Sequence, residues 1–445
     1  MMTKIAKVLG RMMCERRGTV ATMFAFLTPV LMGSLALGFE TSNWYVTKRN
    51  QQNAADAAAI AASTNAGTNY AAEAKAVAAN YGFVDGANNV TVTASNSATC
   101  PTGGNTCYSV TITNLVPLYL SQMVGYSGNT TANGSNQVSL SAVAIAKQGT
   151  QQRQYCLLAL DTVGTDLTSN GGPQADFSGC SVMSNSSAVC HGSNLNADYG
   201  DAHLTSNNCG VVPESNIPIV ADPYVGLAAN IPANSCGSYP QAPSHHNDPA
   251  LPSSNLWTGS KSLSGNVQMC GDMQLTGDVT IDAPSGAVLV IQNGQLDTNG
   301  HTLRTANGSA LTVVFSGTNN GNSYIHAPTN TGGGTGGTLD IQAPTSGPWS
   351  GVALYQDPSL TNGVDISAAG NSPAWDLTGL VYLPHSNVTF SGIVNKSSNG
   401  SSCFAMVASN ITINGTGAIV AHGGCAAGGL NMPTGQAPGR GQLVQ

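Results

Sequence analysis

The run from Gly18 to Phe39, GTVATMFAFLTPVLMGSLALGF, constrains this chain more than any other stretch. It holds 22 residues without a charge, close to the ~20 that an α-helix needs to cross a ~30 Å hydrocarbon core. Lys4, Lys7, Arg11, Arg16 and Arg17 against Glu15 leave +4 before the run, and so −11 after it out of a total of −7. That excess of Lys and Arg predicts a cytoplasmic N-terminus and an exported remainder. Pro29 removes one backbone hydrogen bond in mid-segment and predicts a modest kink, with Thr28 placed to help satisfy the freed carbonyl. Ser34 and Gly38 form a small-xxx-small pair that lets a second membrane helix approach. A cleaved signal peptide is the competing reading. Ala36-Leu37-Gly38 fits a small-x-small cleavage site, but the apolar run exceeds the roughly 7–15 residues usual in such signals. Arg16-Arg17 also suggests twin-arginine export, although the rest of that signal is poorly formed.

Beyond the run, Glu40 to Ser63 reads ETSNWYVTKRNQQNAADAAAIAAS, a strong helix former that predicts continuation of the membrane helix into a stalk. Trp44 and Tyr45 fall where aromatic rings favour the membrane interface. Ala54, Ala58 and Ala62 share one face, suited either to a solvated stalk or to close approach of a partner helix. Residues 64–148 read as a small α+β module. Ala71 to Tyr81 forms a short helix stopped by Gly82, and Val90–Thr93 and Tyr108–Thr113 alternate as a half-buried hairpin. Val138 to Ala146 resumes the alternation.

Ten of the 11 cysteines lie beyond the apolar run, an even number that suits an oxidising compartment and several disulfides. Cys100 and Cys107 close a small loop. Cys403 with Cys425, and some pairing among Cys156, Cys180, Cys190, Cys209, Cys236 and Cys270, are the further expectations. No CxxC pair or zinc-spaced His accompanies them.

From Tyr155 short apolar runs recur between Gly, Asn, Asp and Ser. They include Val267–Met269, Val279–Ile281, Ala287–Ile291, Leu311–Phe315, Leu339–Ile341, Val352–Tyr355, Leu380–Leu383, Val388–Phe390, Phe404–Val407, Ile411–Ile413 and Ala418–Ala421. Such runs are too short for amphipathic helices and match rungs of a β-solenoid. Residues 155–430 are therefore expected to form a right-handed parallel β-helix, with a β-sandwich as the alternative. A Pro-rich excursion over 213–256 and a Gly-rich loop at 328–338 interrupt it, and 431–445 reads as a flexible tail.

Chemistry is hard to find in this stretch. A lyase needs a base and a carboxylate-neutralising group, yet after residue 155 only Lys261, Arg304, Lys396 and Arg440 are basic. Asp272, Asp278 and Asp282 could supply the paired carboxylates of a hydrolase, but read equally as turn residues. His245-His246-Asn247-Asp248, and His191 and His203 flanking Asp198 and Asp201, are weak metal candidates. No GxSxG, HExxH or phosphate-binding loop is present. The residues predict no catalytic, cofactor-binding or metal site, no cofactor and no enzymatic activity. The absence of a basic patch or basic helix in the exported part argues against nucleic acid.

The block from Glu15 to Ser63 resembles the N-terminal region of TadG-like Flp (Tad) pilus-assembly proteins. The shared pattern is a short basic start over residues 1–17, Gly18 before an apolar helix containing Pro29, Glu40, the Gln51-Gln52 segment, and Ala55-Asp56-Ala57-Ala58-Ala59. Met23 stands where prepilins carry Glu, which argues against processing at Gly18, and Glu40 replaces the more usual Asp. Tyr155–Asp161, Leu339–Gln356 and Leu377–Pro384 resemble phrases from the distal halves of such proteins. The resemblance implies a single-pass inner-membrane protein with its large C-terminal part in the periplasm. It also implies an accessory or structural role in pilus assembly, with other pilus-assembly membrane proteins as partners. A surface adhesin or glycan-binding protein is the second expectation, and a polysaccharide-degrading enzyme the third.

Overall fold

The computed structural model describes residues 19–65, 69–103, 106–172, 174–319, 323–332, 337–367, 374–391, 403–415, 418–420, 425 and 428–445. The basic segment, Gly18, Lys396 and the centre of the Gly-rich loop lie outside the described residues. The chain divides into two compact units, residues 1–151 with 438–445, and residues 152–437.

The first unit is built on one helix, α1 (Thr19–Asn65), 47 residues long and continuous through Pro29. The Thr28 hydroxyl donates to the Phe24 carbonyl at 2.6 Å, not to the Ala25 carbonyl that Pro29 leaves without its usual donor. A second helix, α2 (Tyr70–Asn80), ends where Gly82 takes φ +89°, close to the expected stop. Three antiparallel strands follow the period-two pattern: β1 (Val90–Ala98), β2 (Cys107–Pro117) and β4 (Ser135–Ala159), with the short β3 (Thr130–Ala132) beside β4. Val92 faces Ile112, and Ile112 faces Ala142, so alternate apolar residues meet on one side of the sheet. That side packs on α1. Ala54, Ala58 and Ala62 are fully buried, in one cluster with Ala74 and Ala78 of α2 and with Val92, Val110 and Ile112. Neither a solvated stalk nor a vacant docking face describes this part of the helix. Small alanines are used here because they let a sheet and a second helix approach closely. Of residues 431–445, expected to be a flexible tail, Thr434–Leu443 forms a strand; Gln445 O accepts from the Ile145 N–H at 2.7 Å.

The second unit is a solenoid of parallel strands in register. Gly265–Cys270 lies on Ala287–Gln292, which lies on Leu311–Ser316, then Val352–Gln356, Ala374–Ser391 and Phe404–Asn414. The next strand in space is not the next in sequence. Phe404–Asn414 pairs with Leu157–Ala159 and with Thr165–Asn170. From there the stack continues through Ser181–Ser184, Tyr199–Ala202 and Val212–Glu214. One inward ladder thus runs Leu289, Val313, Leu354, Val381, Met406, Leu157, Val182, each fully buried. The adjacent residues form an outward ladder: Val290, Val314, Tyr355, Tyr382, Val407, Leu158, Met183. This ladder is also buried. A parallel sheet covered on both faces reads as continuous apolar runs, which is why AVLVI and LTVVF do not alternate.

What covers the outward ladder is the Pro-rich excursion. Ile217 donates its N–H to Ala202 O, Asn185 exchanges two hydrogen bonds with the Val220 backbone, and the Asp272 carboxylate receives the Ala242 N–H. The segment therefore travels from the last strand of the stack back to the first, along one face. It is a strap, with Ile217, Val220 and Tyr224 buried. Five disulfides close the unit structures: Cys100–Cys107 in the first, and Cys156–Cys180, Cys190–Cys209, Cys236–Cys270 and Cys403–Cys425 in the second.

Candidate functional site

The face of α1 that its own module covers repeats every three or four residues: Gly33, Ala36, Glu40, Trp44, Thr47, Gln51 and the alanines. Its buried polar members, Glu40 and Gln51, have specific tasks. Glu40 is buried, and its carboxylate accepts the N–H groups of Tyr119 and Leu120 at 2.6 Å and of Ser121 at 3.0 Å. Those are donors that the short 3₁₀ turn Ser121–Val124 would otherwise leave unpaired. The fully buried Gln51 donates to the carbonyls of Ile112 and Leu140, tying α1 to β2 and β4. Gln52 donates to Val143 O at 3.0 Å and to Asp56 Oδ1 at 2.8 Å, so Asp56 orients a glutamine rather than a partner. Met23, Phe26, Val30, Leu35 and Phe39 of the same helix are exposed. Ser34 and Gly38 also face outward, with nothing within 4 Å of a Cβ placed on Gly38. The helix has the length and composition to cross a membrane, a property that an N-terminal signal sequence shares.

In the second unit the residues singled out from sequence do not converge. Asp272 is buried in a corner, where it takes the N–H groups of Ala242 and Gln295, and burial holds its pKa above the usual carboxylate range. Asp278 accepts the Thr302 N–H at 2.9 Å on the exposed side of Met273–Asp282, and Asp282 accepts from Ser309. Asp248 closes a turn by receiving the N–H groups of Ser244 and His245, with the His245 ring pointing to solvent. His203 bonds the Ile217 carbonyl, and Asp198 takes the Gly179 N–H. No group of three His, Cys, Asp or Glu suited to a metal occurs among the described residues.

Asp201 is engaged elsewhere, in a cluster that sequence reasoning missed. Arg153 Nη1 donates to Asp201 Oδ1 at 2.7 Å and to Glu214 Oε2 at 2.9 Å, and Nη2 donates to Glu214 Oε1 at 3.1 Å. The guanidinium stacks 3.6 Å from the centre of the Tyr199 ring, and Tyr155 donates its hydroxyl to Asp201 Oδ2 at 2.8 Å. The signal was Arg153 two residues before Tyr155 in the same strand, which puts both on one side of it.

A second buried carboxyl, Asp166, accepts from Ser184 through Oδ1, and Oδ2 has no hydrogen-bond partner among the described residues. Burial pushes its pKa up to about 7. The folded state then binds a proton that the unfolded chain releases near pH 4. The stability associated with this proton is fully present below that pH and is lost as pH rises through about 7. Thermal melts of Asp166→Asn should therefore show a flatter profile than the parent between pH 4 and 7, and a higher melting temperature at pH 8. A parent profile already flat over this range would mean that Asp166 is ionised in the fold.

Together these features define a protein with a membrane-length helix that carries its own α+β module, followed by a disulfide-bonded parallel β-solenoid. Residues 18–73 match the family described as Tad, putative Flp pilus-assembly TadE/G-like, so the match covers α1 and the start of α2. No curated protein and no solved structure matches the chain.

Proposed function

We propose that this protein is a membrane-anchored accessory or structural component of Tad/Flp-type pilus assembly that works by binding other proteins in the cell envelope. The observation that carries this reading is the TadE/G-like match over residues 18–73. The residues of the family pattern, Glu40, Gln51, Gln52 and the Ala-Asp-Ala run, are the ones with which α1 holds its module. In this reading α1 is a single inner-membrane span with its N-terminus in the cytoplasm, and the disulfide-bonded solenoid stands in the periplasm. The outward pair Ser34 and Gly38 is the natural contact for a second membrane helix. In this reading the solenoid acts as a binding platform rather than a catalyst: Asp198, Asp248, Asp272 and Asp278 accept backbone N–H groups, Asp201 pairs with Arg153, and Asp282 accepts from Ser309.

Deletion of the gene in its native bacterium should remove surface pili, scored by electron microscopy, and a plasmid copy should restore them. Pili that persist while surface attachment is lost would favour the adhesin reading instead. Turnover of acidic polysaccharides by the purified protein would overturn the non-catalytic one.

A further inference from the structure

The segment Leu118–Tyr126, LYLSQMVGY, turns large apolar side chains outward: Met123 is 85% exposed and Tyr119 72%. It does so beside the apolar part of α1. Val124 Cγ1 lies 3.0 Å from where a Cβ on Gly33 would stand. Leu120, Met123 and Val124 share a recess of about 460 Å³ with Pro29, Gly33 and Ala36. Gly33 precedes Glu40 by seven residues, about 10 Å along the helix axis. The turn therefore reaches well past the level at which charge begins on α1. At that level Trp44 and Tyr126 bring their rings to 5.7 Å, the kind of residue that settles at a membrane interface.

We propose that Leu118–Tyr126 is a second membrane-inserted element, a re-entrant turn whose apolar side chains contact lipid acyl chains in the leaflet next to Glu40. In hydrocarbon each unpaired backbone N–H costs several kcal/mol. The three at the start of this turn are taken by the Glu40 carboxylate. Glu40 is then a positioning residue that lets the turn enter the bilayer. No charged residue occurs between Asp85 and Lys147, so no charge on the flanking chain opposes entry of the turn. The inference rests on reading α1 as a membrane anchor.

The test uses full-length protein in proteoliposomes, with Cys14→Ala removing the thiol outside the five disulfides. Nitroxide labels are placed singly through Met123→Cys and Tyr119→Cys, with Phe26→Cys as the lipid reference and Val163→Cys, on an exposed side chain of the solenoid, as the water reference. Power-saturation measurements should give labels at 119 and 123 several-fold more accessible to oxygen than to a water-soluble nickel complex, as at 26, with the reverse at 163. Labels at 119 and 123 that behave as at 163 would overturn the inference while leaving the anchor intact. Shielding from both reagents would overturn it too, in favour of a protein cover. A label at 26 that reads as water would remove the anchor reading itself.

Discussion

Arg153→Ala should destabilise the solenoid by about 3–5 kcal/mol, read as a large fall in the midpoint of urea unfolding followed by tryptophan fluorescence. The guanidinium is 4% exposed and Asp201 is fully buried, so the substitution strands a carboxylate that water cannot reach. Burial pushes the Asp201 pKa up, and Arg153 together with the Tyr155 hydroxyl opposes that rise. Arg153→Met keeps most of the volume and none of the charge, and should rescue little. Removing the buried pair in Arg153→Met/Asp201→Leu should recover part of the loss, because the largest cost is an unpaired buried charge, whereas Glu214 is 28% exposed and reaches water. A single variant within about 1 kcal/mol of the parent would show that the pair behaves as a solvated surface bridge, and the buried-cluster reading would fail.

Tyr224→Ala should cost about 3–5 kcal/mol and should also loosen the strap. Tyr224 holds the strap to the sheet from several directions. Its ring meets Tyr382 edge-on at 5.9 Å, its hydroxyl donates to Asn431 O at 2.7 Å, and its carbonyl accepts from the Tyr355 hydroxyl at 3.0 Å. Tyr355 and Tyr382 stack at 4.6 Å beneath it, and Tyr382 donates to Asp222 at 2.6 Å. Limited proteolysis of Tyr224→Ala should cut within residues 213–256 well before the rungs. Tyr224→Phe keeps the ring packing and loses one hydrogen bond, about 1 kcal/mol. Equal losses for the two variants would mean that the hydroxyl, not the ring, anchors the strap.

How far the sequence could be read depended on the distance between partners. The hairpin of Val90–Ala98 and Cys107–Pro117 was legible because period-two alternation is local and its strands are neighbours in the chain. The rungs from Val267 to Ile413 were legible as runs of the right length between turn residues. The Ala54, Ala58 and Ala62 face was visible as a stripe, but its occupant was not, because alanine suits a solvated helix and a tight contact equally well. Glu40 and Gln51 had no local signature of their roles. Their acceptors and donors are backbone groups 61 to 89 residues away.

By itself, then, the sequence determined the membrane-length helix, its charge asymmetry, the α+β module, the rung-like β architecture and the resemblance over residues 15–63. All of these rest on composition and short-range periodicity. Only the tertiary structure decided the order of the stack, in which Leu157–Ala159 sits on Met406–Ala408 and the chain enters the solenoid in its middle. The physical reason is that rungs buried on both faces are chemically alike, so an apolar run does not encode which other run it pairs with. The same choice made the strap necessary. Once the stack grows outward from an internal entry point, the chain must return from one end to the other, and residues 213–256 bury the outward ladder on the way.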